Sequence, residues 1–322
     1  MEKVLITGAS GLLGGKLVNV LSKLYEVIPT HRTEALHPNS IRMNISDKDE
    51  VFKALSQLNP DTVIHTAAET NVDKCETNKE WAWNVNAAGT RNIAEACSKI
   101  GAKLVYISTD YVFDGQKGLY SEEDEANPIN YYGVTKLKGE DFVKQLCEDF
   151  IITRTSVLYG WHHKKLNFAT WVIDSLKNRR RISVAEDHYN SPTLADDLAE
   201  MIRRLVRSNA SGVYHTAGGQ RVSRYNLALK IAQIFELDTS LLEPVKMVDL
   251  KAWLAKRPRD SSLSVEKIRK EVGIEPLSLD EALRKMRVSE KQVHEIRLLK
   301  FKGDTSTCGA YERCNPPRWQ GH

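Results

Sequence analysis

A short apolar run, Lys3–Thr7, feeds directly into Gly8-Ala9-Ser10-Gly11-Leu12-Leu13-Gly14, and a helical pattern begins inside that turn. Few features restrict a fold as much. Glycines at this spacing, between a buried strand and a helix, permit a tight turn at Gly8, backbone approach to a phosphate at Gly11 and close helix–sheet packing at Gly14. A strand–helix turn that merely needs glycine has the same spacing, so its weight depends on the elements downstream.

Those elements alternate. Glu26–Thr30, Thr62–His65, Lys103–Ser108 and Ile151–Arg154 are further runs rich in Val, Ile and Leu, as expected of strands buried on both faces. Helices are predicted between them at Leu12–Lys23, Lys48–Gln57, Glu80–Lys99 and Tyr131–Cys147, with Asn59-Pro60 and Gly101 as stop signals. This order predicts an α/β protein built on a doubly wound, Rossmann-type parallel sheet with right-handed crossovers.

After Arg154 the rhythm loosens. Helices are predicted at Phe168–Asn178, Thr193–Arg207 and Ser223–Phe235, with Thr193 and Ser223 as N-caps and Asp196 and Asp197 in a positive first turn. Arg181–Val184 and Gly212–Thr216 read as short strands, Glu243–Arg259 as irregular, and Val265–Val272 and Leu279–Met286 as short helices. Residues 1–155 are thus expected to form a dinucleotide-binding domain, with 193–216 packing back on it. Residues 156–286 form most of a smaller α/β substrate-binding region. The tail, 287–322, shows no periodic apolar face and is expected to add little to the core and to be partly disordered. Docking of Val293–Phe301 on the sheet or on a second subunit is the alternative.

Composition excludes several partners. The net charge is only +4 over 322 residues, and basic side chains are spread among acids except at Arg179-Arg180-Arg181 and in the last segment. That balance gives nucleic-acid binding little support and makes the Arg triplet a solvated helix end. The five cysteines, Cys75, Cys97, Cys147, Cys308 and Cys314, have no metal-ligand spacing. A reduced, cytoplasmic setting and no bound metal are expected. No apolar run approaches the roughly 20 residues of a membrane span, and Val4-Leu5-Ile6 is too short for a signal peptide.

The strand ends carry the candidate chemistry, because ligands of open parallel sheets bind beyond the carboxyl ends of the strands. After the second strand, Thr30-His31-Arg32 offers no carboxylate for a ribose 2′-hydroxyl, whereas Arg32 can fork onto a 2′-phosphate. NADP is therefore favoured over NAD, with an exposed loop arginine as the plainer alternative. His65-Thr66-Ala67-Ala68 ends the next strand, its small residues suited to a flat ring or a ribose, or simply to tight packing. Ser108-Thr109-Asp110 closes the fourth. Tyr132 and Lys136 stand at i and i+4 of a predicted helix and share a face. A neighbouring ammonium is expected to lower the phenol from its usual pKa near 10, while Lys136 bonds the nicotinamide ribose and Thr109 a substrate carbonyl. Tyr131, five residues from Lys136, misses that face. Trp81 and Trp83 read as packing, and His162-His163 as a solvated loop.

These residues resemble a family. Gly8–Gly14, Ala67-Ala68 with Val72-Asp73-Lys74-Cys75-Glu76, Ser108–Gly115, Tyr132–Glu140, Arg154-Thr155-Ser156 and Arg257–Leu263 are similar to the extended short-chain dehydrogenase/reductases, and within them to the dTDP-4-dehydrorhamnose reductase group. The likeness runs from Lys3 to about Met286. It implies a catalytic trio of Thr109, Tyr132 and Lys136. It further implies cofactor contacts from Gly11, Leu12, Leu13, Ala67, Ala68 and Lys136, and substrate contacts from Thr109 and Asp110. The implied reaction is NAD(P)H-dependent reduction at C4 of a nucleotide-linked 6-deoxy-4-ketohexose; a homodimer stays open. Val157 stands where the family often carries a tryptophan lining the sugar-nucleotide pocket. The same stretches, with the basic end of the second strand and the acidic turn Tyr120-Ser121-Glu122-Glu123-Asp124, also resemble the regulatory beta subunit of methionine adenosyltransferase. That relative implies an NADP-binding partner protein instead of an enzyme.

Overall fold

The computed structural model describes residues 1–163 and 165–302, with side chains up to Glu290. In its first half strands and helices largely alternate: β1 (Lys3–Thr7), α1 (Leu12–Leu21), β2 (Glu26–His31), β3 (Ile41–Arg42), α2 (Lys48–Leu58) and β4 (Thr62–His65). There follow α3 (Val72–Thr77), α4 (Lys79–Trp83), a π turn (Asn84–Ala88), α5 (Gly89–Ile100), β5 (Lys103–Thr109), α6 (Tyr131–Leu146) and β6 (Phe150–Thr155). The second half holds β7 (Leu158–Tyr159), α7 (Phe168–Lys177), β8 (Ile182–Ala185), β9 (Tyr189–Asn190), β10 (Thr193–Leu194), α8 (Ala195–Arg207) and β11 (Gly212–His215). It ends with β12 (Val222–Ser223), α9 (Arg224–Ile234), β13 (Leu242–Val245), α10 (Glu266–Val272) and α11 (Leu279–Lys302).

Seven strands form one parallel sheet in the order β11-β6-β5-β4-β1-β2-β3. The expected doubly wound α/β sheet is therefore present. Its central strands β1, β4, β5 and β6 carry continuous apolar runs because alternate residues enter different layers. Val4, Ile6, Ile64, Val105 and Ile151 pack in one cluster with Leu13, Leu17 and Leu21 of α1 and Leu198 and Ile202 of α8. Leu5, Val63, Leu104 and Ile152 pack on the other face, with Val51 and Leu55 of α2 and Ile93 of α5. Each such fully buried Leu or Ile contributes about 1.5–3 kcal/mol. A separate cluster around Phe168, Val172, Leu227, Ile231 and Leu283 is the core of the C-terminal region.

Helix ends follow their capping chemistry. Asn59 and Gly101 close α2 and α5 in the left-handed conformation, at φ 43° and 71°. Ser223 caps α9 by accepting from the Asn226 amide at 3.1 Å.

Four sequence expectations need correction. Glu80–Lys99 is not one regular helix but is broken by the π turn. Thr193 does not cap α8: its hydroxyl is drawn to the Ser191 carbonyl (3.0 Å) and the Gly218 amide (3.1 Å), so Leu194 takes the cap position without a side-chain bond. Leu242–Val245, which overlaps the start of the Glu243–Arg259 stretch read as irregular, is a strand that pairs with β8. Lastly, α11 continues past Met286 to Lys302. The turn after Met286 is tied down by polar contacts, which a search for an apolar face misses: Arg287 bonds the Ile234 carbonyl and Glu236, and Glu290 pairs with Lys177 at 2.7 Å. The rest of the tail, 303–322, lies outside the described residues, as do the side chains of Val293–Phe301.

Candidate active site

The glycine turn is built against the end of β4. Gly8 sits at φ +68°, and a Cβ there would lie 2.9 Å from the backbone of Ala67. Ala67 in turn donates its amide to the Thr7 hydroxyl at 3.2 Å. A Cβ on Gly14 would run into the Gly8 carbonyl and come within 2.7 Å of Ala9 Cα. Glycine is thus required at both positions by close approach. Gly11 is the N-cap of α1 and supplies no side chain, leaving the positive first turn to an outside anion. Leu13 is packed in the core and Leu12 is half-buried, so both offer a phosphate chiefly their backbone. This cradle fits a dinucleotide pyrophosphate. Arg32, just beyond β2, is exposed and carries no ion pair among the described residues.

His162 departs from the sequence reading as a solvated loop residue. Its Nε2 lies 3.1 Å from the Ser10 carbonyl, and its Nδ1 accepts from the Lys165 amide at 3.1 Å. The Lys165 bond puts the proton on Nε2, which donates to the glycine turn. His37 approaches the same turn at the Ala9 carbonyl, 3.1 Å away.

Strand β5 and helix α6 bring the candidate trio together. Asn130 caps α6 through the Gly133 amide at 2.9 Å and fixes the start of its first turn. Tyr132 is buried, and the Thr109 side chain is the polar neighbour that acts on its phenol. Lys136, 3 % exposed, donates to the Ile107 carbonyl at 2.7 Å and lies 4.1 Å from the Tyr106 ring centroid. One turn on, Glu140 takes a fork from Arg154 at 2.9 and 2.7 Å and the Ser108 hydroxyl at 2.6 Å. The ring of Tyr131 instead lies 5.3 Å from the Lys79 ammonium.

Burial governs the charges here. It pulls Lys136 down to about 7, against upward pulls from Glu140 and Cys75. Burial also pushes the Tyr132 phenol up, with the Thr109 bond only partly opposing it. The expected net lowering of the phenol is therefore not found, because burial dominates, and Lys136 itself donates to the Ile107 carbonyl. A raised phenol is fully protonated at neutral pH.

Asp110 is buried behind the trio. Its carboxylate accepts from Ser156 (2.7 Å), Ser261 (2.5 Å) and Thr109 (3.1 Å), tying β5 to β6 and to the segment before α10. Val157, next to Ser156, adopts φ +44°, a rare conformation for a β-branched residue that costs on the order of 1–3 kcal/mol.

A cavity of about 620 Å³ opens beside this rim, walled by Tyr111, Phe168, Trp171, His188, Trp253 and Arg257. Tyr111 links it to the trio, its ring edge-on to Tyr132 with centroids 6.0 Å apart. Arg257 forks onto Asp73 at 3.0 Å for both contacts, and Asp73 also accepts from the Leu254 (3.0 Å) and Ala255 (2.9 Å) amides. The segment carrying Trp253 is thereby pinned to α3. Arg224, also on the wall, is buried and donates to Asn190 at 2.8 Å. A largely aromatic wall with convergent cations suits a ring-bearing anionic ligand.

Several of these residues escaped the sequence reading. Arg224, His188 and Trp253 have no motif. Asn86, in the π turn, bonds Glu69 through backbone amide (2.8 Å) and carbonyl (3.0 Å) and donates to Thr135 on α6 at 3.2 Å. The only available signal was a polar Asn in a stretch read as helix. Among the described residues no group of three or more His, Cys, Asp or Glu is arranged to hold a metal, and no helix is long and apolar enough to cross a membrane.

Comparison with known proteins agrees with this geometry. The dTDP-4-dehydrorhamnose reductase of Aggregatibacter actinomycetemcomitans is 33% identical over 299 residues, which cover 89% of this chain and 99% of the relative. Methionine adenosyltransferase 2 subunit beta of Rattus norvegicus is 32% identical over 278 residues, covering 83% and 81%. A crystal structure of dTDP-4-dehydrorhamnose reductase from Bacillus anthracis in complex with NADP superimposes with a TM-score of 0.83 at 35% identity, over 89% of this chain and 99% of that one. A family model described as the RmlD substrate binding domain matches residues 1–291, and the chain belongs to that family.

Proposed function

We propose that this protein is an NAD(P)H-dependent oxidoreductase that reduces the 4-keto group of a nucleotide-linked 6-deoxyhexose, as the names of its dTDP-4-dehydrorhamnose reductase relatives indicate. The observation that carries the reading is Tyr132 and Lys136, both buried one turn apart on α6, between a glycine cradle and an aromatic, arginine-bearing cavity. Residues 1–155 with 193–216 form the dinucleotide unit, and most of 156–286 the substrate region. The Gly8, Gly11 and Gly14 turn, with the backbone of Leu12 and Leu13, holds the pyrophosphate; Ala67 and Ala68 flank the nucleotide, and Arg32 takes a 2′-phosphate, favouring NADP.

Reduced nicotinamide, when bound, supplies the hydride to C4. Tyr132 gives its proton to the carbonyl oxygen, so that ketone becomes alcohol and the phenol becomes phenolate. A phenol raised by burial holds that proton at neutral pH until the oxygen turns basic. Thr109, whose one proton goes to Asp110 at 3.1 Å, turns that proton toward the same oxygen when the ketone is bound. Lys136, down at about 7, bonds the nicotinamide ribose and returns a proton to Tyr132. Asp110 holds the Thr109 hydroxyl and the Ser156 and Ser261 supports in place. A cytoplasmic role in making dTDP-linked 6-deoxyhexoses, as a homodimer, fits this reading.

The test is a panel of 4-keto-6-deoxy sugar nucleotides with NADPH and NADH, run beside Tyr132→Phe. Wild-type turnover is expected to fall at least about a hundredfold in the variant, with NADPH binding kept. Near-normal rates in the variant would remove Tyr132 as proton donor.

A second reading, a regulatory subunit, draws on the 32% identity to methionine adenosyltransferase 2 subunit beta. The acidic turn it relies on is engaged within this chain: Asp124 pairs with Lys117, and Glu122 accepts the His215 amide at 2.7 Å. A stable complex with a methionine adenosyltransferase, and no turnover on the panel, would favour it.

A further inference from the structure

His188 stands on the cavity wall just before β9 and is 2 % exposed. Neither ring nitrogen has a hydrogen-bond partner among the described residues. The indole of Trp253 is its ring neighbour, edge-on at 5.5 Å. Buried polar atoms are ordinarily bonded, and each one left unsatisfied costs on the order of 1–3 kcal/mol. An imidazole with both nitrogens in that condition, in a cavity wall, is poised for something that enters the cavity. Burial, with Arg224 and Arg257 adding to it, holds His188 well below its usual pKa, so the ring is neutral. A neutral imidazole presents one N–H donor and one lone pair. Those match a hydroxyl or an amide edge. A phosphate would be better served by the neighbouring guanidinium groups, which bond anions with charge assistance.

We propose that His188 is a specificity-determining residue of this cavity, hydrogen-bonding an uncharged hydroxyl- or amide-bearing part of the nucleotide sugar, its base or its hexose. The inference rests on the cavity being the substrate site proposed above. Trp253 stands beside His188 on the cavity wall, its segment pinned by the Asp73–Arg257 fork.

Calorimetric titration of the full chain with dTDP and with dTDP-glucose tests this, using wild type, His188→Phe and His188→Gln, with NADPH binding measured on each. His188→Phe is expected to weaken at least one ligand about tenfold, equivalent to about 1.4 kcal/mol, with NADPH unchanged. His188→Gln, which keeps a donor and an acceptor, is expected to recover part of the loss. Equal weakening of dTDP and dTDP-glucose places the contact on the base side; weakening of dTDP-glucose alone places it on the hexose. Unchanged affinity for both, parallel loss of NADPH, or failure of the wild type to bind either ligand overturns the proposal. Binding without turnover of any 4-keto sugar nucleotide would instead refute the reductase reading and leave the role of His188 standing.

Discussion

Replacing Lys136 by methionine tests the balance of forces in the site without reference to substrate. The ammonium is buried at 3 % exposure and held down at about 7 from an ordinary 10.5. At about 1.4 kcal/mol for each pH unit, that interval amounts to about 5 kcal/mol by which the fold disfavours the charged form. Methionine has a similar length and no charge to desolvate. It also gives up the 2.7 Å bond to the Ile107 carbonyl, at about 1–3 kcal/mol. The net expectation is a variant more stable by about 2 kcal/mol at pH 6–7, and inactive. For 322 residues at about 2 cal/mol/K each, this raises Tm by about 3 °C.

The sign of the pH dependence is fixed by linkage. Between about pH 7 and 10.5 the unfolded lysine binds a proton that the folded one does not, so wild-type stability gains with rising pH across that window. Below pH 7 both states are protonated and the full penalty stands. The advantage of Lys136→Met should therefore be largest at pH 6–7 and shrink steadily toward pH 10, where the lost bond leaves the variant less stable. Thermal unfolding of both proteins from pH 6 to pH 10 measures the difference. A variant less stable at pH 6, or a difference that does not change with pH, would show that desolvation does not dominate at Lys136.

Two further substitutions probe the cofactor end. Gly14→Ala places a methyl group against the Gly8 carbonyl and 2.7 Å from Ala9 Cα, so the turn must open; NADPH affinity by fluorescence titration should fall at least about tenfold, and unchanged affinity would contradict the cradle. Arg32→Ala should weaken NADPH by about 1.5–3 kcal/mol and leave NADH nearly untouched, whereas equal loss for both would return Arg32 to an ordinary surface residue.

What the sequence made legible is what local pattern can encode. The sheet strands were visible because Val4-Leu5-Ile6 and its counterparts are apolar at every position, which only a sheet covered on both faces requires. The glycine turn, Tyr132 and Lys136 were visible because each lies within a short motif. The cavity was not, since its wall is assembled from Asp73, Tyr111, Phe168, His188, Arg224 and Trp253, brought together only by the sheet and its excursions. The π turn was hidden for a different reason. Asn84–Ala88 continues a helical pattern, and the extra residue in the turn serves Asn86, whose bonds to Glu69 and Thr135 no periodicity reports. Likewise Thr193 looks like a cap until the Ser191 and Gly218 backbone compete for it.

The trio is better understood as part of a longer polar seam. Tyr132, Lys136 and Glu140 recur every four residues along one face of α6, and all three are buried. Two of them bond a group at the end of β5: Lys136 the Ile107 carbonyl and Glu140 the Ser108 hydroxyl. A face this polar can be buried only if every member is answered, which makes the register of α6 on β5 stringent. Burial sets the charge of Lys136: Glu140, which takes the Arg154 fork at 2.9 and 2.7 Å, pulls the amine toward its charged form, but desolvation outweighs that pull and Lys136 settles at about 7. An amine that gains and loses its proton near neutrality, beside a phenol that holds its own, is what a site needs if Tyr132 is to release a proton to a substrate oxygen and be reprotonated between turnovers.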